Sequence, residues 1–112
     1  MTQQTRGAGA VLDPRAGQQP KVALPVGQAM EAAGQLYMAG RLAQAERVCR
    51  QIIERRPNIP DAYNLLGVIR NAQGEAKEAV NLITKAIKLN PGAASFHANL
   101  GEIERQRGKL VG

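Results

Sequence analysis

The amino-acid sequence predicts an all-α fold in which antiparallel helix pairs stack side by side as a solenoid, with two full pairs and one further helix. Apolar residues recur at offsets of three and four positions along residues 28–107, which is the periodicity of amphipathic helices. Glycines and prolines interrupt this pattern at regular points. The residue classes return after 34 positions, and a fixed period of this size is typical of stacked helical repeats.

Residues 1–27 do not share the apolar pattern of the rest of the chain. They are rich in Gly, Pro, Gln and Ala and hold few large apolar side chains. Such a composition buries too little surface to offset the entropy of ordering, so we predict a disordered leader followed by one domain over residues 28–112. No stretch has the apolar length of a signal-peptide core or a membrane span, which makes the cytoplasm the default location.

The first helix pair follows the leader. Its first helix is predicted from about Gln28 to Met38, and Gly40 interrupts the pattern. The second helix is predicted from Leu42 to Arg55. Pro57 and Pro60 bracket the turn into the next pair, because a proline ends one helix and suits the first turn of another.

The central pair has the clearest start and stop signals. Pro60 suits a first helical turn, and Asp61 lies near the positive end of the same helix. Gly74 is placed to adopt the left-handed conformation that closes a helix. The second helix then runs through residues 76–89 and ends before Pro91, because the residue before a proline avoids helical angles.

Gly67 is unusual because it lies inside the first helix of this pair. A helical glycine costs roughly 0.5–1 kcal/mol relative to alanine. That cost is reasonable where a neighbouring helix crosses so closely that a side chain would collide. Ala79 and Ala86, seven positions apart, give the second helix a matching small surface. We therefore predict a close antiparallel crossing at Gly67.

The last helix is predicted from about Ala94 to Arg107. Phe96, Leu100 and Ile103 form one apolar stripe, while the other positions are mostly polar. This pattern fits a terminal helix that packs on one side. Since two and a half repeats are marginal for stability, three interpretations stay open: a piece of a longer array, a self-associating chain, and a polar helix that caps the stack.

The repeat has a residue pattern beyond its period. Small residues recur at Ala33, Gly67 and Gly101, and glycines recur at Gly40, Gly74 and Gly108. The central copy carries the fullest pattern, at Tyr63, Leu66, Gly67, Gly74, Ala79, Ile83, Ala86 and Pro91. In this pattern the chain resembles the tetratricopeptide repeat (TPR) family, with copies at about 26–59 and 60–93 and a partial copy at 94–112. Arg70 stands where a tyrosine is usual. The resemblance implies a right-handed α-solenoid.

The basic charge of the chain raises the possibility of a nucleic-acid partner. The net charge is +6 and the pI is about 10.1, but only 3% of residues are aromatic, so bases would find few stacking partners. The densest group of cations is Arg47, Arg50, Arg55 and Arg56. The resemblance places this helix on the outer surface, which favours a solvated convex face, with a phosphate-binding patch as the alternative. We expect nucleic acid to be an unlikely partner.

Few residues in the chain have catalytic or metal-binding chemistry. Cys49 is the only cysteine and aligns with the apolar Ile83, so we predict a small core residue. His97 is the only histidine and aligns with Tyr63, so we predict a partly buried packing residue. One cysteine and one histidine are too few for a Cys/His metal site. The sequence predicts no catalytic residues, no metal and no cofactor.

The resemblance also implies a binding surface, because the first helices of successive TPR pairs line a concave groove. One face of these helices carries nine repeat-related residues: Met30, Gly34, Tyr37, Asn64, Val68, Asn71, Ala98, Glu102 and Arg105. Asn64 and Asn71 are suited to hydrogen-bond an extended backbone, and Val68 offers an apolar contact. A solvated inner face without a ligand is the alternative.

Two functions follow as hypotheses. The first is a protein-interaction module that binds a peptide or partner protein on the concave helix face, without catalysis, with a second copy of the chain as a possible partner. The second is the recognition domain of a larger glycosyl- or sulfotransferase, since such repeats often precede these enzymes. Some relatives hold peptides with a ladder of asparagines. Asn99 matches that ladder, whereas its equivalents Glu31 and Leu65 do not.

Overall fold

A computed structural model describes residues 24–111, with side chains described through residue 108, as five α-helices joined by short turns. The helices are α1 (Val26–Met38), α2 (Leu42–Arg55), α3 (Pro60–Ala72), α4 (Ala76–Leu89) and α5 (Ala94–Val111). The described range contains no β-strand, and the predicted all-α class is confirmed. Most of the predicted leader lies outside the described residues. Its last two residues, Val26 and Gly27, belong to α1, which begins two positions earlier than predicted.

The helices form stacked pairs. Consecutive helices pack against each other throughout, and α1 and α5 also contact α3. This arrangement places α1, α3 and α5 in one layer and α2 and α4 in the other. The predicted solenoid of two helix pairs and one further helix is confirmed.

Glycine closes the first helix of each full pair. Gly40 has a φ of +78° and Gly74 a φ of +89°, both in the left-handed region. One residue later, the N–H groups of Arg41 and Glu75 donate to the carbonyls of Leu36 and Arg70, each at 2.9 Å. These hydrogen bonds satisfy carbonyls that the helix end would leave unpaired.

The third glycine of this series behaves differently. Gly108 lies inside α5, which continues to Val111, so the predicted end at Arg107 is wrong. Glycine can adopt helical as well as left-handed angles. At Gly108 the backbone stays helical, whereas at Gly40 and Gly74 the chain turns back into a second helix that packs on the first.

The core is a continuous seam between the two layers. Its buried side chains form three clusters: Ala29, Ile52 and Ala62; then Ala33, Ala45, Cys49, Leu66 and Ile69; then Ala79, Ile83, Ala86, Phe96 and Ile103. Each cluster draws on neighbouring helices, so no pair buries its apolar face alone. Phe96 and Ile103 from the predicted stripe of α5 are both buried.

The close crossing predicted at Gly67 is confirmed. A Cβ atom built at Gly67 would lie 2.6 Å from Cγ1 of Ile83 and 3.1 Å from the carbonyl oxygen of Ala79. The predicted contact at Ala79 is therefore present through its backbone, and Ile83 occupies the space that a side chain at position 67 would need. At Gly101, one repeat later, the same Cβ would meet nothing within 4 Å.

A side chain near the start of α3 and another near the start of α5 make matching contacts. The hydroxyl of Tyr63 donates to the carbonyl of Pro57 at 2.7 Å, and Nε2 of His97 lies 2.9 Å from the carbonyl oxygen of Pro91. His97 is nevertheless exposed, so the prediction of a partly buried packing residue is wrong. Tyr63 packs into the cluster that α4 completes, and no described helix stands in the corresponding place beside His97.

Candidate binding groove

A cleft opens between the layer-forming helices α1, α3 and α5. It has a volume of about 230 Å³ and is lined by Tyr37, Val68, Asn71, Asn99, Glu102, Ile103 and Gln106. Four of the residues that sequence analysis placed in the groove therefore come together here: Tyr37, Val68, Asn71 and Glu102. Val68 and Ile103 give the cleft apolar lining, and Asn71, Asn99 and Gln106 line it with carboxamide groups.

Two hydrogen-bonded carboxamide pairs join α3 to α5. Nδ2 of Asn99 donates to Oδ1 of Asn64 at 3.1 Å, and Nδ2 of Asn71 donates to Oε1 of Gln106 at 3.5 Å. Asn64 and Asn71 lie seven residues apart, which is about two helical turns. We call these two pairs the amide rungs, because they join α3 to α5 at two levels, with Val68 between them along α3.

Glu102 lies in the cleft but its charge is compensated. Arg105 donates to it through Nε at 3.1 Å and through a second guanidinium nitrogen, and this hydrogen bonding raises the pKa of Arg105. Nε2 of Gln106 also donates to Oε2 of Glu102, at 3.1 Å. The cleft thus presents a polar wall in which the carboxylate already has partners.

The other predicted groove residues do not line the cleft. Met30 is half-buried and packs against the cluster of Ala29, Ile52 and Ala62. Arg105 is exposed beside the cleft, where it holds Glu102. Asn64 contributes through its hydrogen bond to Asn99.

Sequence analysis did not include Asn99, Ile103 and Gln106 among the groove positions. Shifting Asn64 and Asn71 by the 34-residue period leads to Ala98 and Arg105, whereas the side chains that meet are 35 residues apart. One extra position turns a helix by about 100°, which moves the selected face. Both rungs share the spacing of 35 residues, which the 34-residue repeat of the sequence does not indicate.

A network of four charged residues ties three helices together on another face. Arg70 of α3 contacts Glu78 of α4 at 2.8 Å and Glu46 of α2 at 3.5 Å. Arg50 of α2 contacts Glu46 at 2.9 Å and Glu78 at 3.0 Å. Gln73 accepts from Arg70 at 2.7 Å and donates to Glu46 at 3.2 Å. We call this group the Arg70 network.

The Arg70 network lowers the pKa of both carboxyl groups. Burial alone would raise the pKa of Glu46, but hydrogen bonds from Arg50 and Gln73 and the nearby guanidinium charges lower it overall. Hydrogen bonds from Arg50 and then Arg70 lower the pKa of Glu78. Both glutamates are therefore held as carboxylates.

Two of the four arginines in the predicted cationic group, which lies along α2 and just after it, contact other residues of the chain. Arg50 belongs to the Arg70 network, and Arg55 donates to the carbonyl of Leu24 at 2.8 Å. Arg47 and Arg56 are exposed. Because two of the four cations have partners within the chain, the group is a weaker candidate for phosphate binding than its sequence density indicates.

Cys49 is fully buried, which confirms the predicted core position. Burial raises the pKa of its thiol to about 12, the opposite of what a nucleophilic cysteine requires. Within the part of the chain that the structure describes, no three His, Cys, Asp or Glu side chains cluster as metal ligands would. No helix among residues 24–111 has the length and hydropathy needed to cross a bilayer.

Stacked helix pairs with a side-chain-lined groove along one layer define an α-helical repeat protein. The sequence profile described as tetratricopeptide repeat matches residues 31–82 and 72–112. These matches cover well over half of the chain, which therefore belongs to the tetratricopeptide repeat family.

Among solved structures, the chain is similar to a mutant of the O-GlcNAc transferase of Thermobaculum terrenum. The two share 29% sequence identity with a TM-score of 0.68, and the likeness covers 70% of this chain. The chain spans only 15% of the length of that transferase chain.

Proposed function

We propose that this chain is a protein-interaction module that binds an extended segment of a partner protein in the cleft between α1, α3 and α5. The observation that carries the proposal is the pair of amide rungs, which join α3 to α5 beside the cleft on either side of Val68. Each rung has N–H and C=O groups beyond those used in its own hydrogen bond. Such groups recognise the main chain of a peptide whatever its side chains are.

The chemistry of the described residues supports binding without catalysis. The only cysteine is a buried thiol with a raised pKa, and the cleft carboxylate of Glu102 is held by Arg105 and Gln106. A nucleophile or general base needs a group free to react or to exchange a proton. The proposal therefore assigns the cleft to recognition. The cytoplasm stays the predicted location.

A second candidate function is the recognition part of a larger transferase. It is favoured by the likeness to the O-GlcNAc transferase at 29% identity. The two candidates share the groove and differ in what is joined to it in the parent reading frame. Sequencing that frame beyond Gly112 separates them, because only the second requires a transferase domain there.

A peptide-display selection on the purified chain tests the groove. Selected peptides are measured by fluorescence anisotropy against the native chain and Asn71→Arg, which places a large cation in the cleft. Asn81→Arg is the matched control, since Asn81 is exposed on α4. The proposal expects Asn71→Arg to lose binding and Asn81→Arg to keep it. Equal binding by all three would refute the use of this cleft.

A second copy of the chain remains a predicted partner. Gly101 is exposed on α5, and a Cβ there would meet nothing within 4 Å, so the helix has room for a close neighbour. Sedimentation over a concentration series tests this prediction. A dimer that Gly101→Arg abolishes supports self-association through α5, and a monomer at every concentration rejects it.

A further inference from the structure

The basic residues of the chain are unevenly divided between its two helix layers. Within residues 26–108, α2 and α4 together carry six basic and three acidic residues. In the same range, α1, α3 and α5 carry four acidic residues against three basic ones, Arg70, Arg105 and Arg107. The excess of positive charge therefore lies on the layer of α2 and α4, and the layer that lines the cleft does not repel a cationic ligand.

The cleft has one charged residue in its lining, and that residue is acidic. Glu102 of α5 supplies the carboxylate, and Tyr37 of α1 supplies an aromatic ring. Within the described range, α1 and α5 each pack on α3 and do not contact each other, so the two groups stand on the two walls of the cleft. A carboxylate and an aromatic face are the groups that hold a cationic side chain.

The carboxamide groups of the cleft add hydrogen-bond acceptors to these two walls. Asn71 and Asn99 each donate through Nδ2 in their amide rungs. Their Oδ1 atoms accept no hydrogen bond from any residue that the structure describes, so both oxygens remain to accept one from a ligand. A guanidinium group has five N–H donors and no acceptor, which suits a surface of this kind.

Arg105 already makes the contact that a ligand guanidinium would make. Its Nε and a second guanidinium nitrogen donate to the two carboxylate oxygens of Glu102, in the fork geometry that matches a carboxylate. Both side chains are about half exposed, at 54% and 50%, and lie three residues apart on one helix. Exposed pairs of this kind contribute little, and Arg105 is not part of the cleft lining. A guanidinium that enters the cleft also reaches Tyr37, so it has an advantage over Arg105 in the exchange.

We propose that the cleft selects its partner segment by one arginine side chain, whose guanidinium replaces Arg105 on Glu102 and stacks on the ring of Tyr37. This inference rests on the proposed function of the groove and adds a side-chain preference that the amide rungs do not provide. Arginine is preferred over lysine because only the planar guanidinium pairs with a carboxylate through two parallel hydrogen bonds.

The test is an NMR titration of the intact, isotopically labelled chain with three blocked peptides of the form Gly-Ser-Xaa-Ser-Gly, in which the central residue is arginine, lysine or glutamine. The side-chain amide signals of Asn71 and Asn99 report occupation of the cleft. The arginine peptide is expected to bind at least about tenfold more tightly than the glutamine peptide, because charge-assisted hydrogen bonds are the stronger ones. The lysine peptide is expected to lie between them.

Three variants locate the contact on α5. Glu102→Gln is expected to abolish the difference between the arginine and glutamine peptides. Arg105→Gln is expected to strengthen binding of the arginine peptide about threefold, because the competing cation is gone. Glu104→Gln is the matched control, since Glu104 is an exposed carboxylate of the same helix outside the cleft lining, and it is expected to leave binding unchanged.

The outcomes separate this inference from the proposed function. If displayed peptides require the cleft but the arginine and glutamine peptides bind equally or not at all, the arginine inference is wrong and the groove proposal stands. If displayed peptides bind Asn71→Arg as well as the native chain, both are wrong.

The variants and the lysine peptide give further ways to overturn the inference. Equal losses in Glu102→Gln and Glu104→Gln would show that net charge attracts the peptide. Unchanged or weaker binding by Arg105→Gln would show that no exchange takes place at Glu102. A lysine peptide that binds as tightly as the arginine peptide would refute the paired contact of the guanidinium.

Discussion

Arg70 and Glu46 lie in different helix pairs, and their side chains are 3.5 Å apart. Arg70 also contacts Glu78 of its own pair at 2.8 Å, so one guanidinium links α2, α3 and α4. In the tetratricopeptide pattern, a tyrosine is usual at the position of Arg70. Here a hydrogen-bonded charge network takes its place at the junction between two repeats.

The Arg70 network predicts that Arg70→Ala destabilises the chain, because both glutamates lose a partner that lies across a helix junction. Arg105→Ala is the control, since Arg105 pairs with Glu102 three residues away on the same exposed helix. We expect the melting temperature to fall more for Arg70→Ala than for Arg105→Ala, as measured by circular dichroism. The difference should shrink in 1 M salt, where charges are screened within about 3 Å. Equal melts of the two variants at low salt would contradict a special role for Arg70.

The lowered pKa values of Glu46 and Glu78 predict acid sensitivity. A carboxyl group whose folded pKa lies below its ordinary value of 4.5 stabilises the fold fully above that pH. This stabilisation is lost as the pH falls from about 4.5 through the folded pKa. The double variant Glu46→Gln, Glu78→Gln should therefore be less stable than the native chain at pH 7 and should lose less stability on acidification. Urea unfolding from pH 7 to pH 3 measures both; parallel pH curves would show that other groups cause the acid sensitivity.

The crossing at Gly67 predicts opposite effects for two matched glycine substitutions. Gly67→Ala places a Cβ atom 2.6 Å from Cγ1 of Ile83, and Gly67→Leu adds further bulk, so overpacking should cost roughly 1–3 kcal/mol or more. Gly101→Ala meets no atom within 4 Å and should stabilise α5 by about 0.5–1 kcal/mol. Urea melts of the three variants test this pair of expectations. A neutral Gly67→Leu would refute the close crossing.

The positions of the helices and of Gly67 could be predicted because the repeat encodes them locally. The helices α1 to α4 each have their own apolar spacing and stop signal, and Gly67 together with the small Ala79 and Ala86 of the following helix marks a crossing. Val68 and Tyr37 could be placed in the groove for the same reason.

The amide rungs and the Arg70 network could not be predicted in this way. Whether Asn64 meets Ala98 or Asn99 depends on how each pair is rotated against the next, and no local pattern records that rotation. Arg50 and Glu78 are 28 positions apart, so each resembled an ordinary solvated charge in the sequence. Contacts between repeats depend on the stacking geometry, which only the three-dimensional structure provides.

The burial of Cys49 predicts a thiol that reports unfolding. Its pKa of about 12 and its lack of exposed surface mean that the native chain presents almost no accessible thiolate at pH 8. We expect reaction with a disulfide reagent to be slow in buffer and fast in denaturing urea, where the pKa returns toward its ordinary value. Gly67→Leu should speed the reaction in buffer, because an overpacked crossing raises the population of open chains, while Gly101→Ala should not. Rapid labelling of the native chain would contradict this expectation and would mean that the seam between α2 and α3 opens readily. The same experiment at several reagent concentrations would show whether opening of the seam or the chemical step limits the rate.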